Sequence, residues 1–155
     1  MKIGVIGLGN IAQKAYLPVM VEMQDEVEWH LCSRNREKLE AVGKKFGFQH
    51  LYTSIEEWLD SGIEAAFVHV ATVAHAEIIR KLLERGISVY VDKPISDDPE
   101  ETKELIELAD AKGLLLTAGF NRRFAPMVER LKGIPDKKMI LIQKDRVKNV
   151  EPVRF

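Results

Sequence analysis

Short apolar runs alternate along the chain with stretches in which apolar residues return every three or four positions. That alternation predicts βαβ units wound into a parallel sheet. Strands are predicted at 2–6, 27–32, 49–52, 65–71, 88–91 and 114–118. Several are unbroken Val/Ile/Leu/Phe runs, as strands covered on both faces require. Helix punctuation agrees. Ser54-Ile55-Glu56-Glu57 is a capping box, and Gly62 stands where its helix should stop. Asp98-Pro99-Glu100-Glu101 supplies a cap, a first-turn proline and two acids. That helix should turn Leu105, Ile106, Leu108 and Ala109 inward and end at Gly113. A helix over 74–85 presents Ile78, Ile79, Leu82 and Leu83, and Gly86 closes it. Pro18 predicts a break in the first helix near Leu17. After Gly133-Ile134-Pro135, residues 138–147 read as one more strand, whose apolar run needs a covered face. The expected architecture is a doubly wound parallel α/β sheet over residues 1–120. Residues 121–155 would then form a connecting helix and the first strand of a second α/β domain truncated at the C-terminus. The alternative makes 138–147 a seventh strand of the main sheet.

The chemistry begins where the first strand ends. Gly7-Leu8-Gly9-Asn10-Ile11-Ala12 is a G-x-G-x-x-A turn between a strand and a helical stretch. Gly7 permits the sharp turn, Gly9 lets a pyrophosphate approach the backbone, and Ala12 lets the helix pack closely. Amides at that helix start, around Asn10 and Ile11, face the phosphates with the positive end of the helix dipole. A purely structural tight turn is the other reading, and the position directly after an N-terminal strand favours the Rossmann cofactor turn. The second strand ends in Cys32-Ser33-Arg34-Asn35, with no carboxylate to bind ribose hydroxyls. Ser33 and Arg34 suit a 2′-phosphate, with Lys38 one turn further on, so NADP is expected and NAD is the second choice. In the NAD alternative Arg34 only caps a solvated strand end.

Three further segments follow the later strands. Ala71 and Thr72 close the fourth strand, and His75 stands at a helix start, either contacting cofactor or serving as a capping or surface histidine. His69 reads as a core or supporting residue. His75 and Glu77 do not share a helix face, so H-E-x-x-H zinc chemistry is absent and no metal site is expected. The fifth strand ends in Asp92-Lys93-Pro94, which would aim a lysine of lowered pKa at the nicotinamide end of the cofactor. Tyr90 and Lys93 stand at odd spacing and face opposite sides, so they do not form a Tyr/Lys pair. After the sixth strand, Gly119-Phe120-Asn121-Arg122-Arg123 offers Asn121 and Arg122 to a cofactor amide or a substrate hydroxyl. A solvated arginine pair is the equal alternative.

Composition narrows the class only a little. With 155 residues, 46% apolar and 30% charged, the chain is an ordinary globular domain. Its formal net charge of −1 gives no support for nucleic-acid binding. One cysteine, Cys32, excludes an internal disulfide. No apolar stretch is long enough for a membrane span, and a strand from Lys2 leaves no room for a signal peptide. The chain reads as soluble and cytoplasmic.

Taken in order, these segments resemble the N-terminal domain of the Gfo/Idh/MocA oxidoreductases. Gly7-x-Gly9-Asn10-Ile11-Ala12 is similar to the family's cofactor turn. Ala71-Thr72-x-x-His75-x-Glu77 resembles its A-T-P-N-x-x-H-x-E segment, with Val73-Ala74 in place of Pro-Asn. Asp92-Lys93-Pro94 resembles its E-K-P signature, and Gly119-Phe120-Asn121-Arg122-Arg123-Phe124-x-Pro126 matches closely. The resemblance implies an NAD(P)-dependent dehydrogenase acting on a sugar, cyclitol or related polyol. It implies that Lys93 hydrogen-bonds the reacting oxygen and helps to move its proton. It also implies a D-x-x-x-H segment and an oligomer interface in a following α/β domain, so the parent would be a homo-oligomer. Residues 1–155 hold no such segment, and the fragment alone would be inactive. Two rivals remain: a non-catalytic dinucleotide-binding module, and a methyltransferase, which Ser33-Arg34 disfavours for want of an acid.

Overall fold

The computed structural model describes residues 1–136 and Met139; apart from Met139, the strand expected at 138–147 lies outside the described residues. The chain divides into two compact units, Met1–Phe120 and Asn121–Phe155. The first unit carries six strands: β1 (Lys2–Ile6), β2 (Glu28–Cys32), β3 (His50–Tyr52), β4 (Ala65–Val68), β5 (Ser88–Val91) and β6 (Leu116–Ala118). All pair in parallel, in the order β3-β2-β1-β4-β5-β6. Strand order therefore reverses between β1 and β4. A crevice opens at such a switch point, beyond the carboxyl ends of the strands.

Five helices cover the faces: α1 (Leu17–Val21), α2 (Arg36–Phe46), α3 (Ile55–Leu59), α4 (His75–Glu84) and α5 (Pro99–Lys112). Side-chain caps set the starts of α2, α3 and α5. Asn35 Oδ1 accepts from the Lys38 amide at 2.9 Å, Ser54 Oγ from Glu57 at 3.3 Å, and Asp98 Oδ1 from Glu100 at 2.8 Å. Two cores result, one on each face of the sheet. Ile3, Val5 and Leu31 pack with Leu17, Met20 and Leu39 on the α1/α2 face. Ile6, Val68 and Val91 pack with Trp58, Leu82 and Leu105 on the face of α3, α4 and α5.

The structure corrects the helix expectations at two places. Pro18 does not break the first helix. A π-helical turn, Ala12–Tyr16, runs directly into α1, and the Leu17 amide bonds the Ala12 carbonyl five residues back. The wider turn accommodates the missing proline amide and its ring without ending the helix. In α5, Leu105 and Ala109 are buried and Leu108 is half-buried, but Ile106 is 43% exposed. Positions 105, 108 and 109 form one stripe at helical spacing, and position 106 falls about 100° away from Leu105. β4 and β6 are also shorter than expected, ending at Val68 and starting at Leu116.

The second unit contains a 3-10 turn, Asn121–Phe124, and α6 (Pro126–Lys132). Among the described residues, no helix is long and apolar enough to cross a membrane.

Leu82 is fully buried in the α4 face of the core. Leu82→Ala is expected to cost about 2–5 kcal/mol of unfolding free energy, read from urea denaturation.

Candidate cofactor site

β1 delivers Gly7 to the switch point. Its φ is 93°, and a Cβ there would lie 2.5 Å from the His69 carbonyl carbon and 2.6 Å from the Val70 nitrogen. Any larger residue would meet backbone that cannot move aside. Gly9 differs: a Cβ built on it meets nothing within 4 Å. The chain there faces open space, as a turn that receives a bulky ligand must. Ala12 is completely buried against the sheet, and Ile11, at the helix start, is 49% exposed. The helical run starts at Asn10, so its first amides stand at the edge of the crevice.

Beside the turn lies a cavity of about 530 Å³. Gly7 forms its floor with Ile6, Ser33 and Arg34 line it from the end of β2, and Ala71 and Val73 line it from beyond β4. Thr53, Ile55 and Ile78 complete the apolar side, and Val73 is 84% exposed on its rim. The donor set fits a dinucleotide: a backbone turn without side chains for the pyrophosphate, apolar walls for a base, and a hydroxyl and guanidinium at the β2 end. Glu77 and Lys81 also line the cavity and pair with each other at 3.1 Å. The hydrogen bond that Lys81 donates to Glu77 raises its ammonium above its ordinary value. Lys38 is exposed in the first turn of α2 and does not line this cavity. Thr72 is half-buried and opens the 3-10 turn before α4.

A second group of residues surrounds the end of β5. The Tyr16 hydroxyl donates to Asp92 Oδ1 at 3.1 Å and lies 3.1 Å from the Tyr90 hydroxyl. His69 Nδ1 donates to Asp92 Oδ2 at 3.0 Å, and the His69 and Tyr16 rings pack with centroids 4.2 Å apart and planes tilted by 38°. Burial pushes the Asp92 carboxyl up, but the hydrogen bonds from His69 and Tyr16 outweigh it and hold the group below its ordinary value. Burial, the Tyr90 hydroxyl and the Asp92 charge push the Tyr16 phenol far above its own. Tyr16 therefore stays protonated as a donor. From this anchored strand end Lys93 projects, exposed, and a cis peptide joins it to Pro94.

His75 is neither a surface nor a capping residue. It is 1% exposed, with Nδ1 2.8 Å from the Pro94 carbonyl and Nε2 3.1 Å from the Val70 carbonyl. As the Nδ1–H tautomer it donates to the Pro94 carbonyl, and so ties the segment after β4 to the segment after β5. His69 is the supporting residue that its position in the sequence implies. Asn121 and Arg122 belong to the second unit, in its 3-10 turn. Sequence reasoning missed Tyr16, Thr53 and Ile78. Thr53 had a signal, since it directly follows β3 on the same carboxyl edge as Ser33.

Strands wound in this order around a glycine turn at the switch point define a dinucleotide-binding domain. Residues 1–120 match the family described as "Oxidoreductase family, NAD-binding Rossmann fold", and the chain belongs to this Gfo/Idh/MocA family. Its structure is similar to that of a Gfo/Idh/MocA family oxidoreductase from Vibrio cholerae, with a TM-score of 0.78 and 37% identity, covering 84% of this chain and 42% of that one. Among relatives, a D-xylose 1-dehydrogenase (NADP(+)) of Haloferax volcanii is 28% identical over 84% of this chain and 40% of its own length. The myo-inositol 2-dehydrogenase of Thermotoga maritima is 27% identical over 85% of this chain and 40% of its own length. The chain thus spans about two fifths of the length of the relatives it matches.

Gly7→Ala is expected to cost about 1–3 kcal/mol from backbone strain alone, before the contact with His69 is counted. Urea denaturation checks it. For Asp92 the sign is fixed by the lowered pKa, because the unfolded chain takes up a proton more readily than the folded one. Its contribution is complete above the ordinary carboxylate value and fades as pH falls through the folded value. Asp92→Asn should therefore destabilise the chain at neutral pH and flatten this acid limb, read from unfolding at a series of pH values.

Proposed function

We propose that the chain is the cofactor-binding part of an NADP(H)-dependent oxidoreductase that moves a hydride between nicotinamide and a carbon of a sugar, cyclitol or related polyol. The observation that carries the reading is the meeting of the Gly7 turn with Ser33 and Arg34 at one cavity, with no carboxylate at the end of β2. The nicotinamide, when bound, supplies the hydride acceptor or donor. Everything else falls to the chain. The turn at Gly7 and Gly9 admits the pyrophosphate to the first amides of the helix, at Asn10 and Ile11. Ser33 and Arg34 hold the 2′-phosphate, with Lys38 adding positive charge nearby. Ala71, Thr72 and Pro94 shape the walls between the two ends of the cofactor, while His75 and Asp92 hold those walls in place. Lys93 hydrogen-bonds the reacting oxygen and takes or returns its proton.

The substrate class is favoured by the names of the relatives, a pentose dehydrogenase and a cyclitol dehydrogenase. Residues 121–155, with Asn121 and Arg122 at their start, lead into the part that completes the substrate pocket and pairs subunits. A single buried cysteine fits a reducing cytoplasm.

Two measurements test this. Titration of the chain with NADPH and NADH, followed by nicotinamide fluorescence, should favour NADPH by at least about tenfold, a 1.4 kcal/mol difference. Arg34→Ala should erase the preference, and equal binding by the unaltered chain would overturn the assignment of Arg34. In a chain that carries the substrate region, Lys93→Met should lower kcat by about 100-fold or more. NADPH affinity should stay unchanged, and intact turnover would remove Lys93 from the proton path.

A further inference from the structure

We propose that Glu28, His30 and His50 form a binding site for a zinc-like divalent cation on the β2–β3 edge of the sheet. Parallel pairing sets His30 directly beside His50, and Glu28 lies two residues before His30 on the same face of β2. His30 Nε2 is 2.7 Å from Glu28 Oε1, and His50 Nε2 is 3.7 Å from that same oxygen. One ligand atom from each of the three lies within 4.8 Å of the others. The two imidazoles stack with centroids 4.5 Å apart and planes 7° from parallel, so both Nε2 edges address one carboxylate.

Two imidazoles and a carboxylate are a ligand set that zinc and its neighbours favour, and they leave coordination positions for water. Bonds of about 2.0–2.2 Å place neighbouring donors about 3.0–3.5 Å apart, so the cluster must adjust by about 1 Å. The side chains that must move are the exposed ones: His50 is 44% exposed and Glu28 42%, whereas His30 is 3% exposed. His30 is also held from behind, with its Nδ1 3.0 Å from the Tyr52 hydroxyl. A ring ligating through Nε2 would donate its Nδ1–H to that oxygen, the outer hydrogen bond that metal-bound histidines carry. Lys2 Nζ stands 3.7 Å from the same Glu28 oxygen and is 47% exposed, so a cation already neighbours this carboxylate and has room to withdraw.

The site is remote from the cofactor cavity. Glu28 opens β2, while Ser33 follows its other end, about 16 Å away at strand rise. A cation here would fasten β3, a three-residue edge strand, to its neighbour. No short motif announces it, because the two histidines stand twenty residues apart and meet only through strand register.

The test is calorimetric titration of the tag-free chain with Zn²⁺, with Co²⁺ absorption as the spectroscopic probe. One ion per chain should bind, and the melting temperature should rise with its concentration. His50→Ala and Glu28→Gln alter exposed side chains, and each should weaken binding at least about tenfold while NADPH binding stays unchanged. Absence of saturable binding would overturn the proposal. So would wild-type affinity in His50→Ala, since His69 and His75 remain there and the ion would be bound elsewhere.

Discussion

Everything in the first unit is arranged around the way β1 ends. β1 lies between β2 and β4, sends Ile3 and Val5 to one core and Ile6 to the other, and then must turn within one residue. Gly7 makes that turn with its amide on the Cys32 carbonyl at 3.3 Å, while the His69 amide bonds the Ile6 carbonyl at 2.8 Å. The turn is therefore gripped by the strand on either side. Because the strand order reverses here, the grip also fixes the crevice, and the cavity can open only on the carboxyl edge. A left-handed backbone conformation at one position decides where a ligand can enter.

The polar network beneath Lys93 depends on the same turn. Tyr16 reaches Asp92 only because the π-helical turn after the glycines carries it over the ends of β4 and β5. His69 and Tyr16 then satisfy both carboxylate oxygens, and His75 joins the loops that leave those two strands. A half-buried carboxylate with two donors from different elements resists displacement, because losing either donor leaves it less well satisfied. The glycine turn and the strand end that presents Lys93 are thus joined by one polar network.

What the sequence made legible was local. β1 and β5 have the bounds that their apolar runs predict, and the caps at Ser54 and Asp98 act as their spacing implies. The glycine turn was readable because its constraint lies within six consecutive residues. Pro18 misled because the rule against proline in a helix assumes α geometry, and a π turn escapes it. Ile106 misled because an apolar residue beside a buried one was counted with the stripe. Tyr16 with Asp92, and His30 with His50, were out of reach for a different reason. They meet through sheet order and register, across 76 and 20 residues, and no spacing rule encodes that.

Charge balance in the cavity bears on which cofactor the site favours. Its one lining carboxylate, Glu77, is paired with Lys81, which also lies 3.7 Å from Glu56. Among the described residues Arg34 has no ion-pair partner, and no acid stands at the end of β2 to offset it. A ribose with two hydroxyls would leave that guanidinium without a counter-charge and would find no carboxylate to accept from both hydroxyls. A 2′-phosphate supplies the charge and accepts two parallel hydrogen bonds from a planar guanidinium. The uncompensated charge, more than the presence of an arginine as such, is the ground on which the proposal of a phosphorylated cofactor rests.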